Sequence, residues 1–215
     1  MSKFTGTPKP TLAILGASGH GKVVAETAEL LGYQCVFFDD AYPSVQNNEA
    51  WPVIGTTDNL LEQATSFSAV TVAIGNNAIR LEKIQQLQEA GAKLETLIHP
   101  QAIVSSYANL HPASVVFAGA IINPFAQIGR GCIINTAASI DHDCVIAEGV
   151  HISPGAHLAG NVSVGQEAWV GIGAAVKQGV TIAANCTVGA GAVVVKDIAS
   201  DLTVAGNPAK PLEKN

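Results

Sequence analysis

Three of the six histidines fall within one stretch, SIDHDCVIAEGVHISPGAH, residues 139–157. His142 precedes Asp143, and His151 and His157 are six residues apart. Imidazole exchanges a proton near neutral pH and also ligates metals. Residue type alone therefore leaves three readings for this cluster: metal ligands, catalytic groups, or surface side chains. The decision rests on the elements that hold them.

A second chemical feature lies near the start. In TLAILGASGHGKVVAETAELLGYQCVFFDD (11–40), an apolar strand from Leu12 to Leu15 runs into a turn with glycines at 16, 19 and 21. Helical periodicity follows from Val23 to Leu31, and a second strand, Cys35–Phe38, ends at Asp39 and Asp40. This is a strand-turn-helix-strand unit. Helix N-terminal amides attract anions, so the turn either binds phosphate or is only tight. The acidic pair stands about 20 residues on, where a dinucleotide fold places its ribose carboxylate. The bland alternative is a solvated strand end. The glycine spacing departs from G-x-G-x-x-G, which argues against NAD. Strands are expected at 69–74 and 93–98, and a helix at 78–91 stopped by Gly91. The alternation predicts a small doubly wound α/β domain with its ligand at the carboxyl ends of the strands.

From Val104 to Val194 every sixth residue is Val, Ile or Leu, sixteen in succession. Two residues earlier the side chain is usually Ala, Ser or Cys; three residues later Gly or Asn recurs. Side chains two apart share one face of a strand, so a large and a small residue fill a narrow interior. Gly or Asn suits a corner with positive φ. This predicts a parallel β-helix with three rungs per coil, in which residues 18 apart stack. Cys132, Cys144 and Cys186 occupy small inward positions and serve packing.

The register sorts the histidines. His142 and Asp143 fall at a corner and face outward. His151 and His157 lie outward on two different faces, so they do not make a mononuclear metal site within one subunit. They converge with His142 only if a neighbouring subunit brings them together, as three-fold packing would. Trp169 is also outward, at an interface position. His99 and His111 mark the junction and the first coil.

Composition excludes several classes. The net charge of −6 over 215 residues gives no reason to expect nucleic acid or an anionic membrane. No run of 18 apolar residues predicts membrane insertion. The opening MSKFTGTPKP reads as a loose lead-in without a signal-peptide core. Four cysteines without CxxC spacing predict a cytoplasmic protein with reduced thiols.

GASGHG, the DD closing the second strand, AIGNNAIR (73–80), HP before the repeats, DHDC, GVHISPGAHLAGNV and VAGNPAK (204–210) occur in this order. With these motifs the chain resembles sugar acyltransferases of the sialic acid O-acetyltransferase type. Within them it is most similar to UDP-4-amino-sugar N-acetyltransferases of the bacillosamine pathway. The resemblance spans about residues 10–212. It implies an α/β N-terminal Rossmann-like domain (1–100) that binds a nucleotide sugar, followed by a left-handed parallel β-helix with a C-terminal tail (101–215). It also implies a homotrimer with acetyl-CoA between subunits. By motif match, Ser18, Gly19, His20, Asp39, Asp40 and Gly75 would contact a UDP-amino sugar. His142 would be the general base and Asp143 its orienting partner. His151, Gly160, Ile172 and Ala190 would line the acetyl-CoA site, with no metal. Two departures stand out: Asp143 replaces a glutamate of the bacillosamine enzymes, and Ala190 stands where glycine is expected. An O-acetyltransferase, a γ-type carbonic anhydrase and a non-catalytic nucleotide-sugar sensor are the alternatives.

Overall fold

A computed structural model describes residues 9–212. The lead-in residues 1–8 and the last three residues lie outside the described residues. The chain forms an α/β unit followed by a parallel β-helix, left-handed as expected.

In the α/β unit, β1 (Thr11–Leu15) leads through α1 (Gly19–Leu30) to β2 (Gln34–Phe38). A hairpin, β3 (Asn47–Asn48) and β4 (Trp51–Gly55), precedes α2 (Thr57–Glu62). Then come β5 (Ala69–Val72) and α3 (Asn77–Glu89). The sheet order is β3-β4-β2-β1-β5, parallel except for the hairpin. β1 and β5 are nearly continuous apolar runs because they are covered on both faces. Leu12 and Ile14 pack toward α1 through Val24, Ala25 and Ala28. Ala13 and Leu15 pack on the other side with Leu60 of α2 and Ile84 and Leu87 of α3.

Several elements differ from the sequence reading: β5 ends at Val72 rather than 74, α3 spans Asn77–Glu89 rather than 78–91, and three differences are larger. α1 begins at Gly19, four residues before Val23, so the last two turn glycines are helical. A Cβ at Gly21 would stand 2.5 Å from the Gly16 carbonyl oxygen and 2.8 Å from Phe37, so the helix sits too close to the strand for any side chain. β4 carries Pro52 in a five-residue run, which masks it as a strand. Of the strand expected at 93–98, Leu94 makes a single parallel bridge to Val70 of β5, and Leu97–Ile98 forms a short strand that pairs with Val115–Val116 of the β-helix. Its partner lies there because Ile98 is six residues before Val104 and continues the same periodicity.

The β-helix has three faces. Face A stacks the rungs at 103–104, 121–122, 139–140, 157–158, 175–176 and 193–194. Face B stacks those at 109–110, 127–128, 145–146, 163–164 and 181–182. Face C stacks 97–98, 115–116, 133–134, 151–152, 169–170 and 187–188. The rungs pair in parallel with partners 18 residues away, as in Ile122 with Ile140 and Ile134 with Ile152. The aliphatic positions and the small residues two before them form one buried core. The thiols of Cys132, Cys144 and Cys186 sit in that core and donate to the carbonyls of Ala147, Ala159 and Ala199. Every corner from Ala113 to Gly191 has positive φ, including Ala113, Phe125, Ala137, Asp143 and Glu167. The left-handed conformation costs a non-glycine residue about 1–2 kcal/mol, and the ladders on both sides impose it. Beyond Val194 the spacing shortens: Val204 pairs with Val188 and Ile198 with Ile182, and Lys210–Pro211 folds back antiparallel on Thr203–Ala205.

The α/β unit sits on face C. Leu97, Val115 and Ile133 point outward from that face, yet they are buried in one cluster with Leu12, Ile14 and Val24. No helix among the described residues is long and apolar enough to cross a membrane.

Candidate active site

His142 and Asp143 stand at the vertex between faces A and B. Asp143 occupies the corner position with φ 58°, and this bend turns its carboxylate back toward its neighbour. Asp143 Oδ2 is 2.8 Å from His142 Nδ1, which leaves Nε2 as the free nitrogen. The Asp143 hydrogen bond, more than the charge of Asp141, holds the imidazole pKa above its ordinary value. Both side chains are exposed in the single chain. Asp141, which the sequence reading did not single out, accepts from the His142 amide at 2.8 Å and from Asn123 Nδ2 at 2.8 Å. It fixes the backbone on which the imidazole pivots, and the signal for it was the first D of DHD.

Gly160 lies 18 residues after His142, one coil further on. A Cβ there would stand 2.6 Å from both Cε1 and Nε2 of His142. The glycine is thus the floor on which the imidazole rests. Ile172 and Ala190 share a different vertex, between faces C and A, and stack 18 apart; the Ile172 carbonyl accepts from Gly191, beside Ala190. His157, on face A between the two vertices, places Nδ1 2.8 Å from Ser139 Oγ on the adjacent coil.

The N-terminal residues gather at the carboxyl ends of β1, β2 and β5. The crevice between β1 and β5 is the topological switch point of this sheet, where such folds bind ligands. Ser18 is the N-cap of α1, but its side chain makes no capping bond, so the amides of Gly19 and His20 are not claimed by it. Asp39 accepts from the Ala17 amide at 2.8 Å and from the Ala41 amide at 2.9 Å. It therefore ties the glycine turn to the end of β2. Asp40 accepts from the Thr57 amide at the start of α2 at 2.8 Å. Gly75 has open space where a side chain would be. Next to it, a cavity of about 230 Å³ opens between Asn76–Ala78 and the Trp169 and Thr187 rungs of face C.

His20 and His151 meet where the α/β unit covers face C. His20 packs edge-on against Phe117, centroids 5.6 Å apart. His151 stacks on Trp169 at 5.2 Å and 19°, and Trp169 Nε1 donates to Ser153 Oγ at 2.7 Å. Burial first, and then the Arg80 charge, lower the His20 pKa to about 4. The same causes, with His20 added, take His151 to about 3. Both rings are neutral at pH 7. Asn135 Oδ1 accepts from the Thr136 amide, so its Nδ2 donates to His151 Nε2 at 3.1 Å. The His151 proton then resides on Nδ1, which is buried without a partner, as is His20 Nε2.

Arg80 and Asn77 were not singled out individually in the sequence reading, although AIGNNAIR contains them. Arg80 is 1 % exposed. It bonds Ile74, Gly75 and Asn77 on its own side and Gly131 and Gly149 on the β-helix. Leu81 and Ile84 of α3 press on the same corners, Gly131 and Gly149.

The predicted residues thus form three groups. Ser18, Gly19, His20, Asp39, Asp40 and Gly75 lie together, with His151 beneath them on face C. His142, Asp143 and Gly160 lie at the vertex opposite that face. Ile172 and Ala190 stand at a vertex bordering face C.

An α/β unit set on a hexapeptide β-helix is the architecture this chain shares with solved sugar acetyltransferases. The PglD N-terminal domain family matches residues 11–87. The acetyltransferase domain of PglB from Neisseria gonorrhoeae, solved with acetyl coenzyme A, is 47% identical with a TM-score of 0.91, over 95% of this chain and 100% of that one. A mutant of perosamine N-acetyltransferase from Caulobacter crescentus, solved with CoA and GDP-perosamine, is 37% identical with a TM-score of 0.91, over 95% and 97%. The UDP-N-acetylbacillosamine N-acetyltransferase of Bacillus subtilis is 39% identical over 102 residues, 45% of this chain and 46% of that protein. The chain matches less than half the length of such curated relatives, and about a quarter of a putative acetyltransferase from Schizosaccharomyces pombe (26%). The chain belongs to the sugar acetyltransferase family that includes these PglB and perosamine enzymes.

Proposed function

We propose that the protein is an acetyl-CoA-dependent N-acetyltransferase acting on the 4-amino group of a UDP-linked amino sugar. It works as a cytoplasmic homotrimer whose sites are shared between subunits. The acceptor nucleotide occupies the β1–β5 crevice, its diphosphate at the α1 N-terminus with Ser18, Gly19 and His20. Asp39, Asp40 and Gly75 border it. The similarity to enzymes solved with acetyl-CoA and with GDP-perosamine supports this substrate class.

An ammonium group cannot attack a thioester, so the acceptor reacts as the neutral amine. As its nitrogen bonds to the acetyl carbonyl carbon, the free Nε2 of His142 takes the excess proton. Asp143, on Nδ1, stabilises the imidazolium and fixes the ring. The C–S bond then breaks, and the proton passes to the CoA sulfur. A backbone amide near Gly160 is suited to the oxyanion. Acetyl-CoA lies along Ile172 and Ala190. No enzyme-bound acetyl group is needed, because both substrates meet directly.

The observation that carries this reading is the position of His142 on the vertex opposite the face that holds its own α/β unit. The two groups can act together only if neighbouring prisms abut. The test is co-expression of His142→Ala with Asp39→Ala. Each variant alone should be nearly inactive. Random mixed trimers should recover about a quarter of wild-type activity, because one shared site in four then combines an intact acceptor crevice with an intact base. No recovery in verified mixed trimers would refute the shared site. Transfer only to hydroxyl sugars would replace the N-acetyltransferase reading with O-acetylation.

A further inference from the structure

We infer that Arg80 is a positioning residue for the acceptor sugar: it pins the Ile74–Gly75 loop at the carboxyl end of β5 to the corner backbone of the β-helix. The inference rests on the proposed function for its substrate and on geometry for everything else.

A guanidinium has five N–H donors in a rigid fork, and Arg80 bonds five acceptors. Nε donates to the Gly131 carbonyl at 2.7 Å. Nη1 donates to the carbonyls of Ile74 at 2.9 Å and Gly75 at 3.2 Å. Nη2 donates to Asn77 Oδ1 and to the Gly149 carbonyl, both at 2.8 Å. Asn77 Nδ2 extends the clamp to the carbonyls of Glu167 at 2.9 Å and Ala168 at 3.2 Å. Gly131, Gly149 and Glu167 are successive corners 18 residues apart, so the pair grips three coils at once.

None of the five acceptors is a carboxylate. Burying a charge without a counter-ion is costly, and Leu81 and Ile84 already supply apolar adhesion at these corners. Adhesion alone does not account for an arginine here. The fork does what an apolar side chain cannot: it fixes the direction of two loop carbonyls relative to the β-helix. That loop also touches the glycine turn, since a Cβ at Gly16 would lie 2.9 Å from the Ala73 carbonyl oxygen. The whole acceptor crevice is therefore indexed to the coils that carry the acetyl donor. The cation, which bonds no carboxylate, also lies behind a crevice suited to a diphosphate, where it adds favourable potential.

The test compares Arg80→Met, which removes fork and charge, with Arg80→Lys, which keeps the charge and three donors but loses the planar fork. In folded, trimeric Arg80→Met, KM for the nucleotide amino sugar should rise about 10–100-fold, while KM for acetyl-CoA stays within about twofold. Arg80→Lys should recover part of the loss, because an ammonium has three donors. Amide hydrogen exchange at 74–76 should accelerate in both variants while the face C rungs stay protected. An unchanged acceptor KM in folded Arg80→Met, or an equal rise in both KM values, overturns the inference. Should Arg80→Met not fold, Asn77→Ala takes its place; it removes the Nη2 acceptor and the bonds to Glu167 and Ala168. An unchanged acceptor KM there overturns the inference too. If the wild type acetylates no nucleotide amino sugar, the proposed function fails, and exchange at 74–76 judges the clamp by itself: unaltered protection in the variants sinks it.

Discussion

The imidazole of His142 rests on Gly160, so close that a Cβ at 160 would stand 2.6 Å from its Nε2. Gly160 does not have a positive φ, so its backbone accepts alanine. Gly160→Ala should fold normally and keep its melting temperature, while the added methyl pushes the imidazole aside. Misplacing a catalytic group by about 1 Å costs on the order of 10²-fold. The expected result is a kcat loss of that order, read from CoA release alongside a thermal melt. Wild-type kcat would show that the imidazole does not act from this position.

His142→Ala removes the base itself. The expected kcat loss is about 10²–10⁴-fold. The side chain is exposed, so the urea midpoint should be nearly unchanged. Steady-state kinetics and urea unfolding measure the two effects separately. A large stability loss would place the histidine in the structural framework instead.

Asp143→Asn tests the pair by pH. The carboxylate raises the His142 pKa by its hydrogen bond, and the base works only when neutral. Activity therefore falls as pH drops through that raised value. Replacing Asp143 lowers the His142 pKa, so the acidic limb of kcat should move to lower pH. The plateau should fall as well, because the imidazolium loses its stabilising partner. A limb that stays put, or moves upward, would mean that another group sets it.

His20 and His151 predict an acid-sensitive junction. Their folded pKa values, about 4 and about 3, lie below the unfolded value of about 6.5. Between those limits the unfolded chain binds more protons, so this stability is complete above about pH 6.5 and drains as pH falls toward the folded values. At about 1.4 kcal/mol per pH unit for each histidine, a few kcal/mol should be lost between about pH 6.5 and 5, a window above most carboxylate titration. His151→Phe, still able to stack on Trp169, should flatten the slope of the urea midpoint with pH. A flat wild-type profile over that window would contradict neutral burial.

Much of this protein was legible in its sequence because the β-helix repeats a local rule. A step of six sets which side chains turn inward, and it puts His142 and Asp143 outward at a corner. The apolar strands and glycine turn of the α/β unit were equally local. Other features were settled only by the tertiary structure. Phe125 and Glu167 adopt left-handed corners that their residue types disfavour, because stacked ladders impose the bend wherever the register falls. His151 and His157 occupy equivalent outward positions, yet the first is largely buried and neutral while the second is exposed. The difference comes from the α/β unit covering face C. Apolar outward residues did mark that face at Leu97, Val115 and Ile133, but Ile103 and Ile121 mark face A in the same way and stay exposed. What chose between the faces was a set of contacts spanning 51 to 91 residues, from Arg80 and Asn77 to stacked corner carbonyls. Backbone carbonyls carry no sequence signature, so a clamp that grips them appears only once the chain has folded.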